Sequence, residues 1–213
     1  MKRTLSVFGL LTLIGVSWGV SALSPVYNAP SPCYGTEWQY TNGFFKLIRP
    51  NMRRHHIVGV DLKGADLKKA DLTNANLTGA NLQGANLTAA VLFSANLPNT
   101  NLQEARMHFT CLVEANLKGA NLYTATLFMA NLNQADLTEA NLNAANLKGA
   151  TLYGANLSGT NLQGANLAEA GLRGANLTEA NLTGAKNFNT ADMTGAIFCK
   201  TIMPDASLNK SGC

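Results

Sequence analysis

Residues 75–84 read Ala75-Asn76-Leu77-Thr78-Gly79-Ala80-Asn81-Leu82-Gln83-Gly84, one pentapeptide written twice. Stepping outward from Leu77 in fives, the same phase runs unbroken from Ile57 to Leu182, a total of 26 pentapeptides. Leu holds the centre in 24 of them, with Ile57 and Met107 as the others. Ala stands two residues before the centre in 21, the exceptions being His55, Val60, Thr100, Thr110 and Thr160. Asn or Asp stands one residue before it in 19. The two remaining positions vary, with Gly frequent at the second, as in Gly64, Gly84 and Gly164.

A period of five suits neither a helix nor a flat strand. On an α-helix successive Leu would sit 140° apart and no apolar stripe would form. On a strand five is odd, so successive Leu would face opposite sides. All Leu share one side only if the chain bends once per pentapeptide. A chain bending regularly in one sense coils, with Leu and Ala inside, the other three positions outside, and backbone bonds running between stacked coils. Gly at the bend fits, because it tolerates positive φ.

The exceptions to the Asn/Asp position give a clue to the number of bends per coil. They are His56, Val91, Arg106, Cys111, Thr126, Thr151 and Gly171. Val91, Cys111, Thr151 and Gly171 differ by multiples of 20, and Arg106 and Thr126 also lie 20 apart. Residues that deviate together would stack if a coil held four pentapeptides.

Tandem Ala-Asn/Asp-Leu-x-x over at least residues 55–184 resembles the pentapeptide-repeat family. The resemblance implies an all-β fold, a right-handed, four-sided β-helix with four pentapeptides per coil. It implies function only weakly, because a fold is not an activity. The phase slips once: after Ala185 and Lys186 to Thr190, Ala191-Asp192-Met193 restarts the pattern one residue late, so a bulge is expected at a corner. Phe198 and Met203 continue as centres. The reading is therefore a β-helix over 55–204, about 7.5 coils and roughly 36 Å long at the usual strand spacing, with a closing tail over 205–213.

The ends need cover. Residues 23–54 are read as an N-terminal capping segment, since they carry Tyr27, Tyr34, Trp38, Tyr40, Phe44 and Phe45, which a solvated tail would not. Ahead of them Met1-Lys2-Arg3 is basic, Leu5 to Val20 is uncharged, and Val20-Ser21-Ala22 offers the small residues a signal peptidase reads. This predicts a secretory signal peptide over 1–22, cleaved after Ala22. The competing reading is a membrane anchor, but the apolar run is short of the roughly 20 residues a span needs. After cleavage no membrane attachment is expected.

Four cysteines, Cys33, Cys111, Cys199 and Cys213, remain after that cleavage. An exported chain permits disulfides, and four cysteines allow three full pairings. Cys199 and Cys213, close together at the end of the chain, are expected to form a terminal staple, with the closed loop contributing about 3 kcal/mol. Cys33 and Cys111 would then pair or stay free.

Charge and chemistry narrow the function. Charged residues make up 13% of the chain, and 16 basic against 12 acidic residues leave a formal charge of only +4. That is too weak a field for holding nucleic acid. A coil filled by Leu and Ala leaves no interior cleft for catalysis. His55 and His56 lie beside Arg53 and Arg54, without Cys or carboxylate at zinc-ligand spacing, so neither metal nor cofactor is expected. One stretch departs from the bland exterior. With 20 residues per coil, Arg106 stacks under Thr126, His108 under Phe128 and Phe109 under Met129, while the adjoining side carries Val91, Phe93, Cys111, Val113 and Glu114. The candidate interaction patch is thus Val91, Phe93, Arg106, His108, Phe109, Val113, Glu114, Phe128 and Met129. Exposed Phe, Met, Val, His and Arg together have the composition of a contact surface. Three readings stand side by side: a partner's docking surface, a groove for the N-terminal segment, and tolerant outward sites. The first two combine if Cys33 pairs with Cys111.

The leading expectation is an exported, non-enzymatic β-helical scaffold or protein-interaction module with a protein partner and no nucleic acid. The periplasm or the thylakoid lumen is the expected compartment, as many members similar to this chain come from cyanobacteria and plastids. The alternative implied by the resemblance is a DNA-mimic inhibitor of a type II topoisomerase. Those relatives have a strongly acidic surface and act in the cytoplasm, and this chain departs from both. Ice binding through a flat Thr array is a third reading, spoiled by Pro98 and Lys118 in the column of Thr78, Thr138, Ser158 and Thr178.

Overall fold

The computed structural model describes residues 51–213. The expected signal peptide, the capping segment ahead of Asn51, and Cys33 lie outside the described residues.

Each pentapeptide makes one side of a square coil. The centre and the Ala position point inward: every centre from Met52 to Leu182 is buried, as is nearly every Ala from Ala70 onward. Parallel bridges join residues 20 apart, from Asn51↔Asp71 through Asn166↔Lys186. Four pentapeptides therefore complete one coil. The ladder is already in place at Asn51, and Met52 already points into the core. The four faces are named here by one bridging residue each. In the order the chain visits them, they are the Val91 face, the Asn76 face, the Asp61 face and the Arg106 face.

Bending is achieved by one repeated turn. After each centre, the second residue on has φ near +60°, and the amide after that donates to the centre's carbonyl, as Ala65 N–H does to Leu62 O at 3.0 Å. One positive φ at the third turn residue is the signature of a type II turn, which favours Gly there. Gly fills only 11 of the 27 corners between Arg54 and Gly184; the other 16 hold side chains, including Phe109 and Met129. The coil imposes the left-handed conformation, and residue choice merely modulates its cost of about 1–2 kcal/mol.

Backbone bonding leaves one amide per pentapeptide to be satisfied. The centre donates to the coil above, as Leu62 N–H does to Asn81 O at 2.7 Å. The residue before it donates to the coil below, as Asn81 N–H does to Val60 O at 2.9 Å. The corner donates upward, as Gly64 N–H does to Gln83 O at 2.8 Å, and the Ala position closes the turn. Only the residue directly after the centre has no backbone acceptor. The Asn or Asp two residues earlier supplies one: Thr78 N–H donates to Asn76 Oδ1 at 3.1 Å, and Gln83 N–H to Asn81 Oδ1 at 3.3 Å. The chain uses Pro98, which has no N–H, at one such position, after Asn96.

The buried exceptions obey the same accounting. Thr100, Thr110 and Thr160 replace Ala yet are fully buried. Their hydroxyls donate to Leu77 O, Leu87 O and Leu137 O on the coil below, each at 2.8 Å. A buried hydroxyl without such a partner would be costly.

The phase slip appears where expected. A 3-10 turn at Phe188–Thr190 absorbs one extra residue, and later bridges span 21, as in Gly171↔Asp192 and Asn181↔Ile202. Phe188 and Phe198 meet edge to face at 6.5 Å and pack on the last coil of the core. A short antiparallel pair, β1 (Thr201–Ile202) and β2 (Leu208–Asn209), completes this end. Cys199 and Cys213 are disulfide-bonded, with Cα atoms 4.7 Å apart. Thr194 donates to the Asp192 carboxylate through its hydroxyl and amide, and with Arg173 nearby holds it below the usual carboxylate range. Ser207 does the same for Asp205.

Candidate interaction surface

The outward positions are not equivalent. On the Asp61 face the Asn side chains form an unbroken ladder, each Nδ2 donating to the Oδ1 one coil below from Asn81→Asp61 to Asn161→Asn141, at 2.8–3.4 Å. Each amide after a centre is also capped there. This exterior satisfies itself and offers little beyond a neutral amide surface.

The pattern lapses at Val91 and Cys111 on one face and at Arg106 and Thr126 on the next, the two pairs bridging directly. Without an Asn or Asp at these places, the amides of Phe93, Val113, His108 and Phe128 meet no acceptor among the described residues. Farther up, at the Thr151 lapse, Asn133 Oδ1 accepts the Tyr153 amide at 3.0 Å, and Tyr153 lies so close over Gly171 that a Cβ there would sit 2.4 Å from its ring.

The structure divides the nine sequence-predicted patch residues between two adjoining faces. Val91, Phe93 and Val113 lie on the Val91 face, with Glu114 at its far corner, where it accepts a bond from Ser94 Oγ at 2.9 Å. Arg106, His108 and Phe128 lie on the Arg106 face. Phe109 and Met129 occupy the corner that the two faces share.

The two halves differ in exposure, and here one expectation needs correcting. Val91 and Val113 point outward, as the repeat requires, but they are not exposed: they are 4% and 6% accessible. Phe109 and Met129 are open, at 55% and 52%. Phe128 lies between His108 and Phe109, edge to face with both, at ring separations of 6.2 and 5.6 Å. Thr126 Oγ1 is 3.4 Å from His108 Nε2. The result is an aromatic and thioether knuckle rimmed by a cation and by two outward amides without acceptors among the described residues. Reading the sequence by residue type singled out these positions; it missed that the Asn/Asp lapse also leaves amides there without an acceptor among the described residues.

Other candidates come to little. His55 Nδ1 lies 3.0 Å from Arg53 O, and no group of three potential metal ligands occurs among the described residues. No helix among them is long and apolar enough to cross a membrane.

Comparison with known proteins places the repeat. A family model described as Pentapeptide repeats (8 copies) matches at residues 57–92, 85–123, 120–159, 152–186 and 160–198. No curated protein matches the chain. Among solved structures it is similar to HetL, a pentapeptide repeat protein involved in heterocyst differentiation regulation from the cyanobacterium Nostoc sp. strain PCC 7120. Identity is 32% over 76% of this chain and 92% of that one, with a TM-score of 0.27. It is also similar to a pentapeptide repeat protein from the Arabidopsis thaliana thylakoid lumen, at 28% identity over 57% of this chain and 68% of that one, TM-score 0.30. QnrB1, a plasmid-mediated fluoroquinolone resistance protein, shares 20% identity over 69% and 86% of the two chains, TM-score 0.49. The family's structures imply a right-handed β-helix, and pentapeptide repeat proteins are in general structural or interaction modules. By its family-model matches, which span more than half of its length, the chain belongs to the pentapeptide-repeat family.

Proposed function

We propose that the protein is a non-enzymatic scaffold, a right-handed β-helix of about 7.5 coils, that docks a protein partner on the knuckle formed by Phe109, Phe128 and Met129. One observation carries this reading: two large apolar side chains stand side by side at one corner, each more than half exposed. The coil requires neither of them, since Gly serves the same turn elsewhere. Phe109 bears a left-handed backbone and gains little burial, so the fold alone gives no reason for it. Arg106 and the amides of His108 and Phe128 add donors, so the matching partner surface brings an apolar side chain flanked by carbonyl or carboxylate oxygens. The working compartment is a periplasm or thylakoid lumen. The signal-like N-terminus, the Cys199–Cys213 disulfide and the similarity to a lumenal family member support that placement.

The test compares affinity capture from the native compartment by wild type and by Phe109→Ser/Phe128→Ser. Loss of one specific companion with the double variant is the expected outcome. An unchanged profile from a folded variant overturns the reading. The topoisomerase-inhibitor alternative is less well supported, since the exterior ladder is built of neutral Asn where a DNA mimic needs carboxylates. Inhibition of gyrase supercoiling at low protein concentration would favour it instead.

A further inference from the structure

The Val91 face is shielded where its neighbours are open. Thr73, Val91, Cys111 and Val113 all point outward, yet all four are buried. No outward position of the Asn76, Asp61 or Arg106 faces is buried between residues 56 and 128. Stacking within the column does not produce this, because equally stacked Asn residues on the Asp61 face remain half-exposed. Two further observations fall on the same face. Cys111 is disulfide-bonded, while Cys199 and Cys213 are bonded to each other. Asp71, directly below Val91 in the ladder, has an interaction beyond its contacts with Arg53 and Thr73.

We propose that residues 23–50 lie along the Val91 face and are pinned there by a disulfide between Cys33 and Cys111. Chain length and direction suit this occupant. The described chain begins at Asn51, which is the foot of the same column: Asn51, Asp71, Val91 and Cys111 bridge in succession. Cys111 thus stands three rungs above Asn51, about 14 Å at the usual strand spacing. The 18 residues from Cys33 to Asn51 can reach up to roughly 60 Å when extended. They have ample slack to double back up the face. Tyr34, Trp38, Tyr40, Phe44 and Phe45 supply the apolar surface that would cover Val91 and Val113. The segment would thereby cap the first coils from the side and leave the Phe109 corner free at its edge.

The test uses the full chain prepared under oxidising conditions. Peptide mapping without reduction is expected to yield a Cys33 peptide linked to a Cys111 peptide within a monomer. Cys111 recovered as a free thiol, or linked to a second copy in a dimer, overturns the proposal. Docking is separated from mere cross-linking by proteolysis after reduction. Val113→Asp places a charge under the segment, and cleavage within residues 23–50 is expected to speed up by about tenfold over reduced wild type. Equal cleavage rates, with the β-helical circular dichroism spectrum retained, overturn the docking even if the linked peptide is found. Either failure leaves the proposed partner site at Phe109 untouched.

Discussion

The Asp61 face and the Val91 face share one backbone and differ in a single column of side chains. On the first, each Asn from Asn81 to Asn161 caps the amide two residues on and also bonds the Asn or Asp one coil below. On the second, Val91 and Cys111 do neither. The coil nevertheless runs through both with the same bond lengths: Leu102 N–H to Asn121 O and Leu92 N–H to Cys111 O are each 2.7 Å. The difference teaches that the interior and the turn hold the coil, while the Asn column finishes its surface. Where that finish is omitted, a face becomes available to something else.

The strongest way to break this comparison is in the core. Leu102 and Leu112 lie under the two faces and are both fully buried. Leu102→Ala and Leu112→Ala are each expected to cost about 2–5 kcal/mol in urea unfolding, by a similar amount. A small loss at Leu102 beside a large one at Asn101→Ala would show instead that the exterior ladder carries the fold. Asn101→Ala itself removes the cap on the Gln103 amide and two ladder bonds, and should cost about 1–2 kcal/mol. The reciprocal change, Val91→Asn, restores the repeat's preferred residue but places an amide in a shielded site. It is expected to destabilise by about 1–3 kcal/mol, against the rule that consensus residues help. Stabilisation by Val91→Asn would show the face to be uncovered.

Much of this was legible in the sequence, for reasons that can be located. A five-residue period admits only one way to gather the Leu residues, so the coil followed from Leu77 and Leu82 alone. The shared spacing of Val91, Cys111, Thr151 and Gly171 disclosed the 20-residue coil, because deviations stack. The extra residue after Ala185 was visible as a phase slip. The reason for Asn was not visible, since it depends on which amide the coil leaves over, and that is a property of the finished backbone; Pro98 was the one available hint. Nor could the sequence split the patch. An outward position tells where Val113 and Phe109 point, and says nothing of what lies over them.

A milder comparison sets Thr110 beside its Ala counterparts. Thr110→Val keeps the shape and removes the bond to Leu87 O, leaving that carbonyl with the Ala90 amide alone, and should cost about 1 kcal/mol. Thr110→Ala leaves a smaller residue of the kind the coil accepts elsewhere. The Val substitution should therefore be no better tolerated than Ala, although it fills the space better.

The smallest effect on stability and the sharpest on function are expected together at Phe109→Gly. Phe109 has φ +56° and is 55% exposed. Glycine removes the left-handed strain, worth about 1–2 kcal/mol. It also frees the unfolded chain, costing about 0.5–1 kcal/mol. The edge-to-face contact with Phe128 is lost as well, at about 0.5–1.5 kcal/mol. These terms nearly cancel, so the urea midpoint should move little in either direction. Partner capture should nevertheless fall as it does with Phe109→Ser/Phe128→Ser. The same substitution on the Asp61 face, Glu104→Gly, lies at an equivalent corner and should leave capture unchanged. A variant that binds normally at Phe109→Gly would return the exposed corner to the status of a tolerated position, and the difference between the faces would then reduce to the shielding of Val91 and Val113.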